Sequence, residues 1–131
     1  MDKTLGLKLK TFKKALVTLE KALKAEHSDL ARDSSIQRFE YCYELCWKTS
    51  KIFLKDHFGV ETFSPKPCFR ELRKNQLITD EETEILLEMV NDRNLATHTY
   101  DEKFAMELFK KIKSKYHKTL LKIHHIVEKE I

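Results

Sequence analysis

The sequence is poor in the residues that interrupt helices: its 131 residues include two glycines and two prolines. Glycine and proline mark most turns, so their scarcity leaves room for few of them. A glycine-rich phosphate-binding loop is excluded, because Gly6 and Gly59 are too few and too far apart to form one. The Lys/Glu-rich periodic segments that fill the chain predict an all-α protein.

Long apolar runs are also missing. No segment approaches the roughly 20 apolar residues that cross a bilayer, and the N-terminus lacks the hydrophobic region of a signal peptide. We therefore expect a cytoplasmic protein without a membrane partner. The three cysteines, Cys42, Cys46 and Cys68, are odd in number and lack the paired spacing of a zinc site. We expect reduced, buried thiols, with no metal and no cofactor.

Charge is abundant but only slightly unbalanced, with 25 basic and 21 acidic residues and a net charge of +4. Residues 79–92 contain six acidic residues and no basic one, whereas both terminal segments are rich in lysine. Two interpretations stay open. The lysines form a basic surface for RNA or an acidic partner, or they are the solvated faces of amphipathic helices.

Hydrophobic periodicity and capping residues predict the first three helices. The first runs from near Thr4 to about Glu26. The second begins at a cap on Asp33 or Ser34, carries the most aromatic segment of the chain, and ends at Gly59. A short third helix opens at Ser64-Pro65, a cap followed by proline at the first helical position.

Two further helices complete the predicted fold. Thr79 and Glu82 have the spacing of a capping box and open the fourth helix, which ends at about Asn94 or slightly later. Asp101 caps the fifth, whose apolar stripe extends to Val127. Four main helices and one short helix, joined by short loops, predict a single domain, residues 1–131, folded as an up-and-down bundle.

The most informative stretch follows the apolar part of the fourth helix. Arg93 precedes His98 by five residues, with Asn94 and Tyr100 beside them. At about 100° per residue, Arg93 and His98 lie roughly 140° apart, whereas Asn94 and His98 share a face. We expect Asn94 to orient the imidazole while Arg93 reaches in from the side. A cation, a group that titrates near neutral pH and a phenol together suit chemistry on a phosphate.

Other polar residues are weaker candidates for a functional site, because their spacing is less specific. Glu40 and Glu44 lie one turn apart on the aromatic second helix, where they face Arg93, a partner's lysines or solvent. The histidines of the last helix do not have the pattern of a metal site, and we expect surface or capping roles for them: His117, His124 and His125.

The Arg93–His98 motif, taken with residues 36–48 (IQRFEYCYELCWK), resembles the HEPN family. More narrowly, it is similar to bacterial nucleotidyltransferase substrate-binding proteins, which are encoded beside a minimal nucleotidyltransferase. The resemblance extends over nearly the whole chain.

This resemblance implies a homodimeric helical bundle and a metal-independent ribonuclease toxin. Arg93 and His98 would be the active pair, with Asn94 in support. The partner nucleotidyltransferase, the antitoxin, would transfer AMP to Tyr100 and thereby silence the toxin.

Two other functions stay open at this point. In the first, the protein is a non-catalytic subunit that presents a nucleotide or acceptor to the nucleotidyltransferase. In the second, it is a helical adaptor whose motif forms a dimer contact.

Overall fold

A computed structural model of the protein describes residues 3–98 and 101–131, with residues 97 and 98 as backbone alone. The described residues form helices and short connections, without a strand. The helices are α1 (Lys3–Lys24), α2 (Asp29–Phe58), α3 (Pro65–Lys74), α4 (Asp80–His98), α5 (Glu102–Lys111) and α6 (His117–Glu130), with a π-helical turn at Ile112–Tyr116. Because α5, the π turn and α6 are continuous, the prediction of four main helices and one short helix is confirmed.

Most helix ends lie where their capping residues predicted. Gly59 ends α2 in the left-handed conformation, at φ 66°, which glycine adopts without steric cost. Thr79 and Glu82 form the predicted capping box: the Thr79 amide donates to Glu82 at 2.8 Å, and the Glu82 amide donates to the Thr79 hydroxyl at 3.1 Å. The Asp101 carboxylate accepts from the Lys103 amide at 3.0 Å and caps α5.

The predicted start of α2 at Asp33 or Ser34 is wrong. Ser28 is the cap, and its hydroxyl accepts from the Ala31 amide at 3.0 Å. The following turn is fixed by Arg32, whose side chain is buried and lies 3.6 Å from Glu102 at the start of α5. The predicted cap Asp33 is engaged with this side chain instead, since its carboxylate accepts from Arg32 Nε at 3.1 Å.

The core lies between the aromatic face of α2 and the helices on either side of it. α1 packs on α2 and α6, and α3 packs on α2 and α4. The ring of Phe39 stacks on that of Tyr116 with centroids 5.5 Å apart. The three cysteines are buried and free, as predicted. Burial raises the pKa of Cys42 to about 12 and that of Cys68 to about 11, so these thiols are poor nucleophiles.

The assignment of His124 to the surface is wrong, since its side chain is 5% exposed. Its ring meets Phe12 edge-on, with centroids 5.5 Å apart. Burial lowers the pKa of His124. The apolar stripe of α6 held the signal, because His124 lies one turn after Leu120 and therefore points into the same interface.

Candidate functional site

The last turns of α4 carry the residues that the sequence singles out. Asp92 points inward and is 7% exposed. Its carboxylate accepts hydrogen bonds from the Tyr116 hydroxyl and, at 3.1 Å, from Lys111 Nζ. A buried carboxylate is costly unless it is paired and hydrogen-bonded, and both conditions are met at Asp92.

A second carboxylate of α4, that of Glu88, extends this network by one helical turn. Lys115 Nζ lies 2.6 Å from Glu88, and Lys111 Nζ lies 3.0 Å from it. The hydrogen bond from Lys115, helped by that from Lys111, lowers the pKa of Glu88. Burial and the hydrogen bond to Asp92 raise the pKa of Tyr116. These bonds fix the rotation of α4 about its axis.

The π turn supplies two donors of this network, Lys115 and Tyr116. A π turn places one more residue in a helical turn and is frequent at functional positions. In this protein the wider turn lies where Lys111, Lys115 and Tyr116 all bond to carboxylates of α4. The periodicity of the sequence did not predict this turn, since the apolar stripe runs through it without interruption.

Arg93 lies next to the acidic residue that the sequence places in α2. Its Nε is 3.9 Å from Glu40 Oε2, and the two side chains are 22% and 31% exposed. The distance is at the outer limit of an ion pair. Glu44 is instead engaged on its own helix: it accepts from Trp47 Nε1 at 3.1 Å and lies 3.7 Å from Lys48.

The remaining motif residues are placed in part. Asn94 is exposed. Because α4 stays helical through His98, the backbone positions of Asn94 and His98 share a face, and that of Arg93 lies about 140° from that of His98. The His98 side chain and Tyr100 lie outside the described residues. The functional roles of the motif residues stay predictions.

A cavity of about 290 Å³ opens beside the Arg93–Glu40 pair, between α2, the end of α4 and the start of α5. Its wall combines apolar side chains with carboxylates and an amide. The lining residues are Asp33, Ile36, Gln37, Glu40, Ala96, Asp101, Phe104, Ala105 and Leu108.

Sequence reasoning missed the residues that hold the site, Asp92, Lys111 and Tyr116. The signal for Asp92 was its place directly before Arg93, and that for Tyr116 was its hydroxyl, the one polar group on an otherwise apolar stripe. Among the side chains that the structure describes, those of residues 3–96 and 101–131, no group of three or more His, Cys, Asp or Glu is arranged to hold a metal ion. No helix of the described part has the length and apolarity to cross a membrane.

A family model described as "nucleotidyltransferase substrate binding protein like" matches residues 7–129. The chain belongs to this family. The resemblance to this family, which the Arg93–His98 motif and residues 36–48 indicated, is therefore confirmed. No curated protein matches the sequence.

Solved structures share the fold of this nucleotidyltransferase substrate-binding family member. A protein of Thermus thermophilus is 37% identical, with a TM-score of 0.83, over 88% of this chain and 98% of its own. A tri-AMPylated Shewanella oneidensis HEPN toxin, in complex with an MNT antitoxin, is 20% identical, with a TM-score of 0.80, over 98% and 99%. A mutant MntA–HpeT toxin–antitoxin is 18% identical, with a TM-score of 0.79 and the same coverage.

Proposed function

We propose that the protein is a HEPN-type toxin: a metal-independent ribonuclease that is paired with a minimal nucleotidyltransferase antitoxin. The observation that carries this proposal is the position of Arg93, which the Asp92 network holds at the end of α4 beside Glu40. The sequence places His98 on the next turns of the same helix. The family match and the likeness to HEPN toxins support the assignment.

RNA cleavage without a metal needs a base for the 2′-hydroxyl proton, an acid for the leaving 5′-oxygen and a cation for the charge on phosphorus. We assign the proton transfers to His98 and the cation to Arg93, with Asn94 orienting the imidazole. One chain supplies one motif histidine. A two-fold homodimer would bring two histidines and two arginines to one cleft.

Glu40 gives Arg93 a partner that a substrate can replace. A partly exposed ion pair at 3.9 Å contributes on the order of 0–1 kcal/mol. A phosphate offers the guanidinium two oxygens and stronger, bidentate hydrogen bonds. The phosphate therefore displaces Glu40 from Arg93 at little cost in free energy.

Tyr100 is the proposed site of control. The Shewanella oneidensis toxin is AMPylated in its complex with the antitoxin, and we infer the same modification in this protein. AMP on Tyr100 would add negative charge and bulk close to Arg93 in the chain. It would exclude an RNA phosphate by repulsion and by size.

Cleavage of RNA in the presence of EDTA tests the ribonuclease assignment. We expect Arg93→Ala to lower the rate about 100-fold or more, because it removes a cation at the developing charge. His98→Ala should lower it about 100- to 10,000-fold. Arg38→Ala is the matched control, since Arg38 is an exposed arginine of α2 and we expect no effect. Equal rates for the wild type and both site variants would refute the ribonuclease.

Mass spectrometry after co-expression with the nucleotidyltransferase tests the control mechanism. We expect AMP on the wild-type protein and none on Tyr100→Phe. An unmodified wild-type protein, in the presence of ATP and an active partner, would contradict AMP transfer.

A second candidate function is a non-catalytic subunit that binds a nucleotide or the nucleotidyltransferase. The cavity beside Glu40 favours it, since an apolar wall with a few polar groups is typical of small-molecule sites. Calorimetry with nucleotides distinguishes the two: saturable binding without cleavage of RNA would favour the subunit over the ribonuclease.

A further inference from the structure

The loop between α2 and α3 holds an aromatic ring out into solvent. Phe63 is 80% exposed, whereas the preceding residue, Thr62, is 4% exposed. The Val60 amide donates to the Leu54 carbonyl at 3.2 Å, and the Cys68 amide donates to the Ser64 carbonyl at 3.2 Å. The loop is therefore anchored on both sides of Phe63. The anchored loop thus holds the ring outside the core.

A lysine of α2 lies over this ring. Lys51 Nζ is 5.8 Å from the Phe63 ring centroid and 6.0 Å from that of Trp47. Among the residues that the structure describes, no carboxylate lies within ion-pair distance of Lys51. A cleft of about 140 Å³ is lined by Lys51, Lys55, Glu61, Thr62 and Phe63. We call Trp47, Lys51, Lys55 and Phe63 the lysine–aromatic cleft.

We propose that the lysine–aromatic cleft binds an unpaired nucleotide of an RNA strand. The base stacks on the Phe63 ring, and Lys51 and Lys55 contact the flanking phosphates. Aromatic rings beside cations are the general means by which proteins hold single-stranded nucleic acid. This inference rests on the proposed function and deepens it, because it adds an anchor for the strand away from the scissile phosphate.

The cleft is aligned with the candidate site along α2. Glu40, Trp47 and Lys51 lie on one strip of the helix, since their spacings are close to whole turns. Glu40 and Lys51 are about 16 Å apart along the axis at 1.5 Å per residue, a length of about five stacked nucleotides at 3.4 Å each. Glu44 lies on this strip, but its charge is offset by Lys48 at 3.7 Å.

Charge favours RNA over a protein as the occupant. α3 follows the cleft directly and contains four basic residues and one acidic residue, Lys66, Arg70, Arg73, Lys74 and Glu71. Lys55 faces Glu61 at 3.3 Å, but both side chains are more than half exposed, so a phosphate competes easily for this lysine. An exposed aromatic ring alone is typical of a protein interface, whereas a ring surrounded by lysine and arginine side chains is typical of a nucleotide-binding surface.

Fluorescence anisotropy with a short, unstructured, labelled 2′-O-methyl oligoribonucleotide tests the cleft, because a strand without a free 2′-hydroxyl cannot be cleaved during the measurement. We expect Phe63→Leu to weaken binding about 5- to 150-fold, because stacking of one base contributes about 1–3 kcal/mol. Phe63→Trp keeps a stacking surface and should retain the affinity. Lys51→Gln should lower the slope of log K against log salt concentration by about 0.7, the value for one contact on a single strand. Lys118→Gln removes the same charge from an exposed position on α6 and should leave the slope unchanged.

Three results would overturn this inference: no binding by the wild type, equal binding by wild type and Phe63→Leu, or loss of nucleotidyltransferase binding by Phe63→Leu with RNA binding intact. The last result would make the cleft a protein interface. Failure of the proposed ribonuclease is separate: binding that depends on Phe63, without cleavage by the wild type, would refute the ribonuclease and leave the cleft standing.

Discussion

Removing one hydroxyl from the core tests whether the Asp92 network fixes α4. In the wild type, the buried Asp92 carboxylate accepts from Tyr116 and from Lys111. Tyr116→Phe keeps the ring, which stacks on Phe39, and removes the hydroxyl alone. Asp92 then keeps one of these two hydrogen bonds, and its freed lone pair is buried.

The magnitude follows from the burial of both partners. Tyr116 is 0% exposed and Asp92 is 7% exposed, so solvent does not replace the lost donor. A hydrogen bond to a charged group contributes about 1.5–3 kcal/mol. We expect Tyr116→Phe to lower the free energy of unfolding by this amount, and Tm by on the order of 5–10 °C for a domain of this size.

Urea unfolding at pH 7, followed by circular dichroism, measures the difference. Tyr41→Phe is the matched control, because Tyr41 is 54% exposed on α2 and surface substitutions change stability by about 0.5 kcal/mol or less. The two variants should have similar m-values and different midpoints. Equal midpoints would show that the Tyr116 hydroxyl does not support Asp92, and that the Asp92 network does not fix the position of α4.

Three further predictions concern titration and burial. The lowered pKa of His124 means that its contribution to stability is complete above about pH 6.5 and falls as the pH drops below it. His124→Gln should make the dependence of stability on pH shallower in urea unfolding, with the remainder due to His117, whose pKa burial also lowers. His125→Gln should leave the dependence unchanged, and equal slopes for wild type and His124→Gln would contradict the assignment. The ion pairs that lower the pKa of Glu88 stabilise the fold above about pH 4.3, and this contribution is lost as the pH falls. Glu88→Gln should therefore make the fall of the unfolding free energy at acid pH shallower. An unchanged fall would count against the ion pairs. The three buried thiols should react with iodoacetamide at pH 8 only as fast as the protein unfolds, and rapid labelling in native buffer would be inconsistent with their burial.

Helix boundaries were predictable where they depend on local chemistry. The Thr79–Glu82 capping box and the left-handed Gly59 need no distant residue, and both lie where the sequence placed them. The start of α2 was not predictable in this way. Ser28, Asp33 and Ser34 are all good caps, and the sequence does not show that Ser28 caps the helix while the Asp33 carboxylate accepts from Arg32.

The sequence identified Arg93 and Glu40 as residues of the candidate site, but it did not identify the residues that hold them in place. Arg93 stands out in the sequence, and the structure places it beside Glu40, one of the two carboxylates proposed for α2. The partners of Asp92 come from the π turn and the residue before it. No pattern of period 3.6 identifies which tyrosine or lysine of a distant helix will meet a given carboxylate, and a π turn shifts the register of the side chains that follow it.

Tyr116 connects the two halves of the candidate site. Its ring stacks on Phe39 at 5.5 Å, the residue before Glu40, and its hydroxyl binds Asp92, the residue before Arg93. Neighbouring residues of a helix differ by about 100° in direction, so a contact that fixes Phe39 and Asp92 toward the core also fixes the directions of Glu40 and Arg93. Tyr116 is thus a positioning residue for the pair, and it acts from a place that substrate does not reach.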